Sequence, residues 1–244
     1  MKKVIVVLVS LLSCFPSLSQ RNIGRALDME NEEVAFVNRL SKLIPTTERY
    51  QYSEFQDGRV FYTTHKESNL TKLNYDRYFS HASMINEKGD TLFVANFAIV
   101  KYVLIDRALF YYDNHKGYFE ILSNPDDFVR LVVQRQLNIV KREVLKDYEK
   151  PQTTSTKKLF SAIYVPVNPV LSREKVTLSK DDIFYLMNKK DETILTSKAA
   201  FLKSFPKRKQ EIENHLQQMT RQRSRVKFDQ EEDLKKLLQF CLKP

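Results

Sequence analysis

Tryptophan is absent from this chain, glycine occurs four times and cysteine twice. Glycine is the residue that reverses a chain at least steric cost, and with so few of them no phosphate-cradling loop and no nucleophile elbow is spelled out. Two cysteines, Cys14 and Cys241, cannot build a thiolate cluster, and none of the four histidines has another histidine four residues on. The spacings of a zinc site are therefore missing. The most apolar run, residues 4–12, is too short to span a bilayer as a helix. No residue is assigned a catalytic, cofactor-binding or metal-ligating role from the sequence. The composition is that of an ordinary globular protein, 42% hydrophobic and 29% charged, without a repeat.

Three of the four glycines stand where hairpins would use them. Gly58 follows Asp57, Gly89 closes Asn86-Glu87-Lys88-Gly89-Asp90, and Gly117 closes Asp113-Asn114-His115-Lys116-Gly117. Between and beside them lie runs rich in aromatic and β-branched residues, which predict strands over 59–64, 70–75, 80–85, 91–95, 100–105, 108–112 and 118–122. Short connections predict that neighbours in sequence are neighbours in the sheet. The run 100–105 is apolar at both parities, so part of the sheet is expected to be covered on both faces. The fold class expected is α+β: an antiparallel β-meander, as an open sheet or partial barrel, with an N-terminal helix and a C-terminal helical segment.

The N-terminus reads as an export signal. Lys2 and Lys3 precede the apolar run, and Pro16, Ser17 and Ser19 form a polar end, so cleavage is expected before Gln20. Leu11-Leu12-Ser13-Cys14 is a lipobox-like alternative that would leave Cys14 lipidated at the outer membrane. Either route places the protein outside the cytoplasm, periplasmic or secreted. In that setting the formal net charge of +10 points away from nucleic acid and toward an anionic envelope surface. With Cys14 removed, Cys241 is left alone. Leu234, Leu237, Leu238 and Cys241 share one helical face, so the thiol is expected to be buried as a small hydrophobe.

Five segments are expected: a signal peptide at 1–19, a helical segment at 20–48 with its helix over 31–44, the meander at 49–149, a polar linker at 150–158, and short strands with three helices at 159–244. Residues 128–145 alternate apolar and polar and are rich in valine, which predicts long strands. Short strands are expected over 176–178, 183–187 and 193–195, with Asn188-Lys189-Lys190-Asp191 as a turn. Ser197 is expected to cap a first helix, Pro206 to open a second, and Asp229 with Glu232 to form a capping box on a third. The sequence leaves open whether these helices fold onto the sheet or stand alone.

Leu73-Asn74-Tyr75, Lys88-Gly89-Asp90-Thr91-Leu92, Lys203-Ser204-Phe205-Pro206-Lys207-Arg208-Lys209 and Phe228-Asp229-Gln230-Glu231-Glu232-Asp233-Leu234 together resemble a family of uncharacterised secreted proteins of Bacteroidota. The resemblance covers most of the mature chain, but its motifs are a turn, a helix start and a cap. It implies export and carries no assigned activity.

Of the residues that could carry chemistry, His81 sits inside the ladder between Ser80 and Ser83, His115 falls in a predicted turn, His215 lies on a helix flank, and His65 is the fourth histidine. The pairs Asp126-Asp127 and Asp181-Asp182 are expected in turns or caps. Lys207-Arg208-Lys209 and Arg221-Gln222-Arg223-Ser224-Arg225 could contact phosphates. The function expected is a non-enzymatic exported envelope protein acting as a binding or scaffold module. Its partner would be an envelope protein or an anionic envelope surface, and Tyr75, Tyr78, Tyr102, Tyr111, Tyr112 and Tyr118 are possible contacts. The alternative is an extracytoplasmic hydrolase whose site assembles only in three dimensions, with His81 or His65 beside a carboxylate and a hydroxyl.

Overall fold

The computed structural model describes residues 40–94, 99–146, 160–168 and 172–243, without the side chains of 143–146, 160–168 and 172–174. The expected signal peptide, most of the expected N-terminal helix and the polar linker lie outside the described residues. Two compact units divide at 43/44. In the first, residues 40–43 are helical. The second, Ile44–Pro244, holds every element described below.

A short helix, α1 (Thr46–Arg49), leads into eleven strands. These are β1 (Gln56–Tyr62), β2 (Thr71–Asp76), β3 (His81–Ile85), β4 (Thr91–Phe93), β5 (Val100–Ile105), β6 (Ala108–Asp113), β7 (Gly117–Ile121), β8 (Val129–Lys146), β9 (Phe160–Asn168), β10 (Ser172–Asn188) and β11 (Thr193–Leu195). Helices α2 (Lys198–Ser204), α3 (Lys209–Arg221) and α4 (Glu231–Leu242) follow, with a 3-10 turn at Pro206–Arg208. All strands join one antiparallel sheet in the order β11-β10-β8-β7-β6-β5-β1-β2-β3-β4, and β9 pairs with β10 beside β11. The α+β class is as the sequence predicts, and the seven strands of the meander fall within a few residues of expectation.

Three details differ. β4 and β5 are not neighbours, because β1 pairs with both β2 and β5 and so lies between them. The segments expected as separate strands over 176–178 and 183–187 are one strand, β10, paired along its whole length with β8. Gly58 is not in a turn. It sits inside β1, where a Cβ would stand 2.2 Å from the Leu104 carbonyl oxygen, so glycine is needed for close approach of two backbones. Three corners manage without glycine. Ser80, Asp106 and Asp191 take positive φ at the β2–β3, β5–β6 and β10–β11 corners, beside Gly89 and Gly117 at two others.

One face of the sheet is organised by a row of directly paired residues: Val60, Val103, Phe110, Glu120, Val133 and Phe184. At its β1 end the sheet rolls onto itself. Val60, Leu73, Tyr75, Ala82, Val103, Ile105, Phe110 and Tyr118 are buried together there. The corner between β2 and β3 reaches β8, where Tyr75 Oη donates to Arg135 O at 3.0 Å and Leu137 N to Arg77 O at 2.9 Å. At its β10 end the same face is covered by helices. Val129, Leu131, Val133, Phe184 and Leu186 pack with Phe201, Phe205, Ile212, Leu234, Leu237, Leu238 and Cys241. The C-terminal helices therefore fold onto the sheet. On the opposite face Phe119, Ile121, Val132 and Met187 are buried beneath half-buried Tyr102, Tyr111 and Tyr185.

Helix starts follow local rules with one exception. Ser197 Oγ accepts from Ala200 N and caps α2, and Pro206 opens the 3-10 turn before α3. Asp229 and Glu232 form no capping box. α4 starts after Gln230, and the acidic residue used is Asp233, whose carboxylate accepts from Lys227 N at 2.9 Å.

Gly58→Ala should press a methyl group against the Leu104 carbonyl and force β1 from β5. We expect a loss of about 1–3 kcal/mol, read from the urea unfolding midpoint; an unchanged midpoint would show that the strands can part without cost.

Candidate functional site

The polar point in the row of paired residues is Glu120, and around it lies the densest charge cluster described. Arg135, two residues beyond Val133 on the same face of β8, is largely buried. Its Nε meets Glu120 Oε2 at 2.6 Å, its Nη1 meets Asp182 Oδ2 at 2.5 Å, and its Nη2 meets Glu231 Oε2 at 3.3 Å. Gln51 Nε2 donates to the same Glu120 oxygen at 2.9 Å, and Lys235 Nζ pairs with Glu231 at 2.7 Å. Burial disfavours the Arg135 cation, but Glu120, Asp182 and Glu231 more than offset it and raise its pKa. Burial lowers that of neighbouring Arg77, whose Nε is buried with no hydrogen-bond partner. Every carboxylate here is held by a cation. The cluster thus joins β7, β8, β10 and α4 as an electrostatic staple.

The histidines do not assemble a site. His81 Nδ1 lies 2.8 Å from Ser80 O, and its ring is edge-on to Phe93 and Tyr118. His65 is exposed in a turn at positive φ, His115 is exposed in the β6–β7 turn, and His215 stacks on Phe240 with centroids 4.1 Å apart. Asp126 is in a turn as expected, its N–H donating to Asn124 Oδ1. Asp181 and Asp182 are not: they lie within β10 and point to opposite faces. Asp182 meets Arg135, and Asp181 accepts from Asn138 and Ser179. This pairing was hidden in the sequence because it depends on the register of β8 against β10.

Two expected tyrosine contacts are core residues. Tyr75 and Tyr118 are 1% and 0% exposed, and burial pushes both phenols well above their ordinary pKa. Tyr78, Tyr102, Tyr111 and Tyr112 are half-buried, and burial raises Tyr111 to about 12. Cys241 is buried as expected, which pushes its thiol up to about 12 and keeps it unreactive at neutral pH. Of the basic residues, Arg208 is structural. It pairs with Glu211 and donates to the carbonyls of Phe240 and Cys241, closing the C-terminus of α4.

Among the described residues two surfaces stand open besides the far sheet edge at β11 and β9, where Thr193 and Ile194 are half-buried. The first is the sheet edge at β4, which pairs only with β3 among the described strands. All three of its residues are exposed, and Leu92 and Phe93 are 48% and 42% exposed on opposite faces. Phe79 and His81 support the Phe93 ring edge-on, at 5.3 and 5.7 Å. The second is a cleft of about 500 Å³ on the helical layer, lined by Lys198, Leu216, Gln217, Thr220, Arg221, Arg225, Val226 and Phe228. Two further clefts flank Phe128, one toward β10 and β11 and one toward the end of α4. Neither His65 nor His81 lines these three. Among the described residues no group of His, Cys, Asp and Glu is placed to hold a metal ion, and no helix is long and apolar enough to cross a membrane.

Comparison of the chain with protein-family models, with curated proteins and with solved structures finds no match.

Replacing Arg135 with Met leaves three carboxylates facing one another and should cost about 3–5 kcal/mol at neutral pH. The Glu231 carboxyl gives a pH signature. Burial alone would raise its pKa, but Lys235 and Arg135 hold it below the ordinary carboxylate value. A depressed folded-state pKa adds stability above the unfolded value, and this is lost as pH falls through the folded one. Stability should therefore decline in acid, and Glu231→Gln should flatten that decline in urea titrations from pH 6 to 3; a parallel decline in the variant would remove Glu231 from the staple.

Proposed function

We propose that this protein is exported and acts in the cell envelope by binding, with the β4 edge as the strand on which a partner protein docks. The observation that supports this reading is the state of that edge. Natural edge strands are blunted by shortness, lysine, proline, a bulge or a covering segment, because unpaired backbone groups invite another chain; β4, at three residues, is short but uses none of the other devices. Thr91-Leu92-Phe93 contains neither lysine nor proline, shows no register shift against β3 and stays exposed. Strand addition supplies main-chain hydrogen bonds, and side chains alternating between the two faces supply selectivity. Leu92 and Phe93 offer one apolar contact on each face.

The partner class that fits is a protein with an extended apolar segment, and contacts of this type are insensitive to salt. A full-length mature chain immobilised and exposed to envelope fractions should retain the same partner at low and high salt. Leu92→Lys with Phe93→Lys should abolish retention while circular dichroism and thermal unfolding stay as in the parent. Capture of the same proteins by parent and double variant, or of none by the parent, would sink the reading.

A further inference from the structure

The cleft between α2, α3 and the loop at 222–228 has a chemistry of its own, and it does not depend on the β4 proposal. Three cations line it: Lys198 from the start of α2, Arg221 from the end of α3 and Arg225 from the loop. No side chain of the three has an ion pair or a hydrogen bond with a described residue, whereas Arg49, Arg130, Arg135 and Arg208 each meet a carboxylate. No carboxylate lines the cleft, and the sequence holds none between Glu213 and Asp229. Like charges gathered in a concave site raise the local positive potential, and only an anion relieves it.

The loop carrying these arginines is fixed before any ligand arrives. Ser224 donates to Met219 O through both its backbone N–H, at 3.0 Å, and its hydroxyl, at 3.2 Å, and Arg223 takes the left-handed conformation that this turn requires. Val226 is buried against the helices. Thr196 Oγ1 donates to Phe228 O at 2.8 Å, and the Lys227 N–H is held by Asp233. The arginine backbones are thus anchored on both sides, and little order need be gained on binding.

Beside the cations the lining holds three apolar residues, Leu216, Val226 and Phe228, with the polar Gln217 and Thr220. A small inorganic anion would leave that surface unused. We propose that the cleft binds the phosphate headgroup of an anionic amphiphile, with Arg221 and Arg225 forking onto the phosphate oxygens and Lys198 as a third point charge. The first carbons of the ligand then lie on Leu216, Val226 and Phe228. Guanidinium groups suit phosphate because their donors match two oxygens at once. The cleft volume falls within the range of small-ligand sites.

Co-sedimentation of the mature chain with lipid vesicles tests this. Binding to phosphatidylcholine vesicles containing one-fifth phosphatidic acid, and none to phosphatidylcholine alone, is expected, with affinity falling as salt rises. Arg221→Gln with Arg225→Gln should weaken binding about tenfold or more. Lys88→Gln with Lys189→Gln, which removes the same charge from two exposed turns, should leave it unchanged. Lysophosphatidic acid should displace the protein at concentrations where glycerol phosphate and inorganic phosphate do not. Equal losses from both double variants would show a mere net-charge effect, and equal competition by inorganic phosphate would show a site for the free ion; either result, or no vesicle binding, overturns the proposal. The Leu92→Lys, Phe93→Lys variant should bind vesicles as the parent does, so the two proposals fail separately.

Discussion

One sheet face has to be buried along a path of many strands, and no single core can cover it. The strand row that runs from Val60 to Phe184 is covered at one end by the sheet itself and at the other by helices. Where the two covers meet, the face cannot be closed by apolar packing alone. Glu120 falls at that boundary, and Arg135 reaches it from the next strand. An unpaired carboxylate at such a place would cost several kcal/mol, so the guanidinium is as necessary to the sheet as any buried leucine. Because the same guanidinium also holds Asp182 and Glu231, the position of α4 is tied to the register of β7, β8 and β10.

This arrangement explains what was readable from the residues and what was not. Strands with a local signal were found. Val100–Ile105 is apolar at both parities, and it has core on both faces: Val103 on one, Tyr102 on the other. The alternation beyond Phe128 is a strand, since residues 129, 131 and 133 face the helices and Val132 faces away. Long-range choices carried no such mark. The insertion of β1 between β2 and β5 needs Gly58, whose missing side chain lets the Leu104 backbone approach, and a glycine after an aspartate reads in sequence as a turn. Likewise Glu120, Arg135, Asp182 and Glu231 are far apart along the chain and become a cluster only through register. The spacing predicts a capping box at Asp229, but the chain beside it is held by the buried Val226 and by Asp233 accepting from Lys227 N, and α4 starts after Gln230.

The open surfaces differ because the charges are spent unevenly. Arg49, Arg130 and Arg135 sit against the sheet and each takes a carboxylate with it, Asp76, Asp191 and Glu120 respectively. Carboxylates used inside cannot neutralise cations outside. Each of these pairs is neutral and leaves the chain's formal excess of positive charge to other residues; at 222–228 the sequence holds no acidic residue, and no carboxylate lines the adjoining cleft. The β4 edge shows the opposite balance: Thr91-Leu92-Phe93 carries no charge at all.

These two surfaces would respond to solution conditions in opposite senses. Contacts to arginines on an exposed rim weaken as the Debye length shortens, while strand pairing backed by apolar side chains does not. The separation also follows from the fold. The edge belongs to the rolled part of the sheet, where Phe79 and His81 support Phe93 and Arg49 of α1 lies over the Phe79 ring, and the cleft belongs to the helices that cover β8 and β10. Since the Arg135 staple lies between them and fixes both covers on one sheet, a change at either surface need not propagate to the other: each is held by its own core, and what they share is a row of backbone hydrogen bonds that neither ligand would touch.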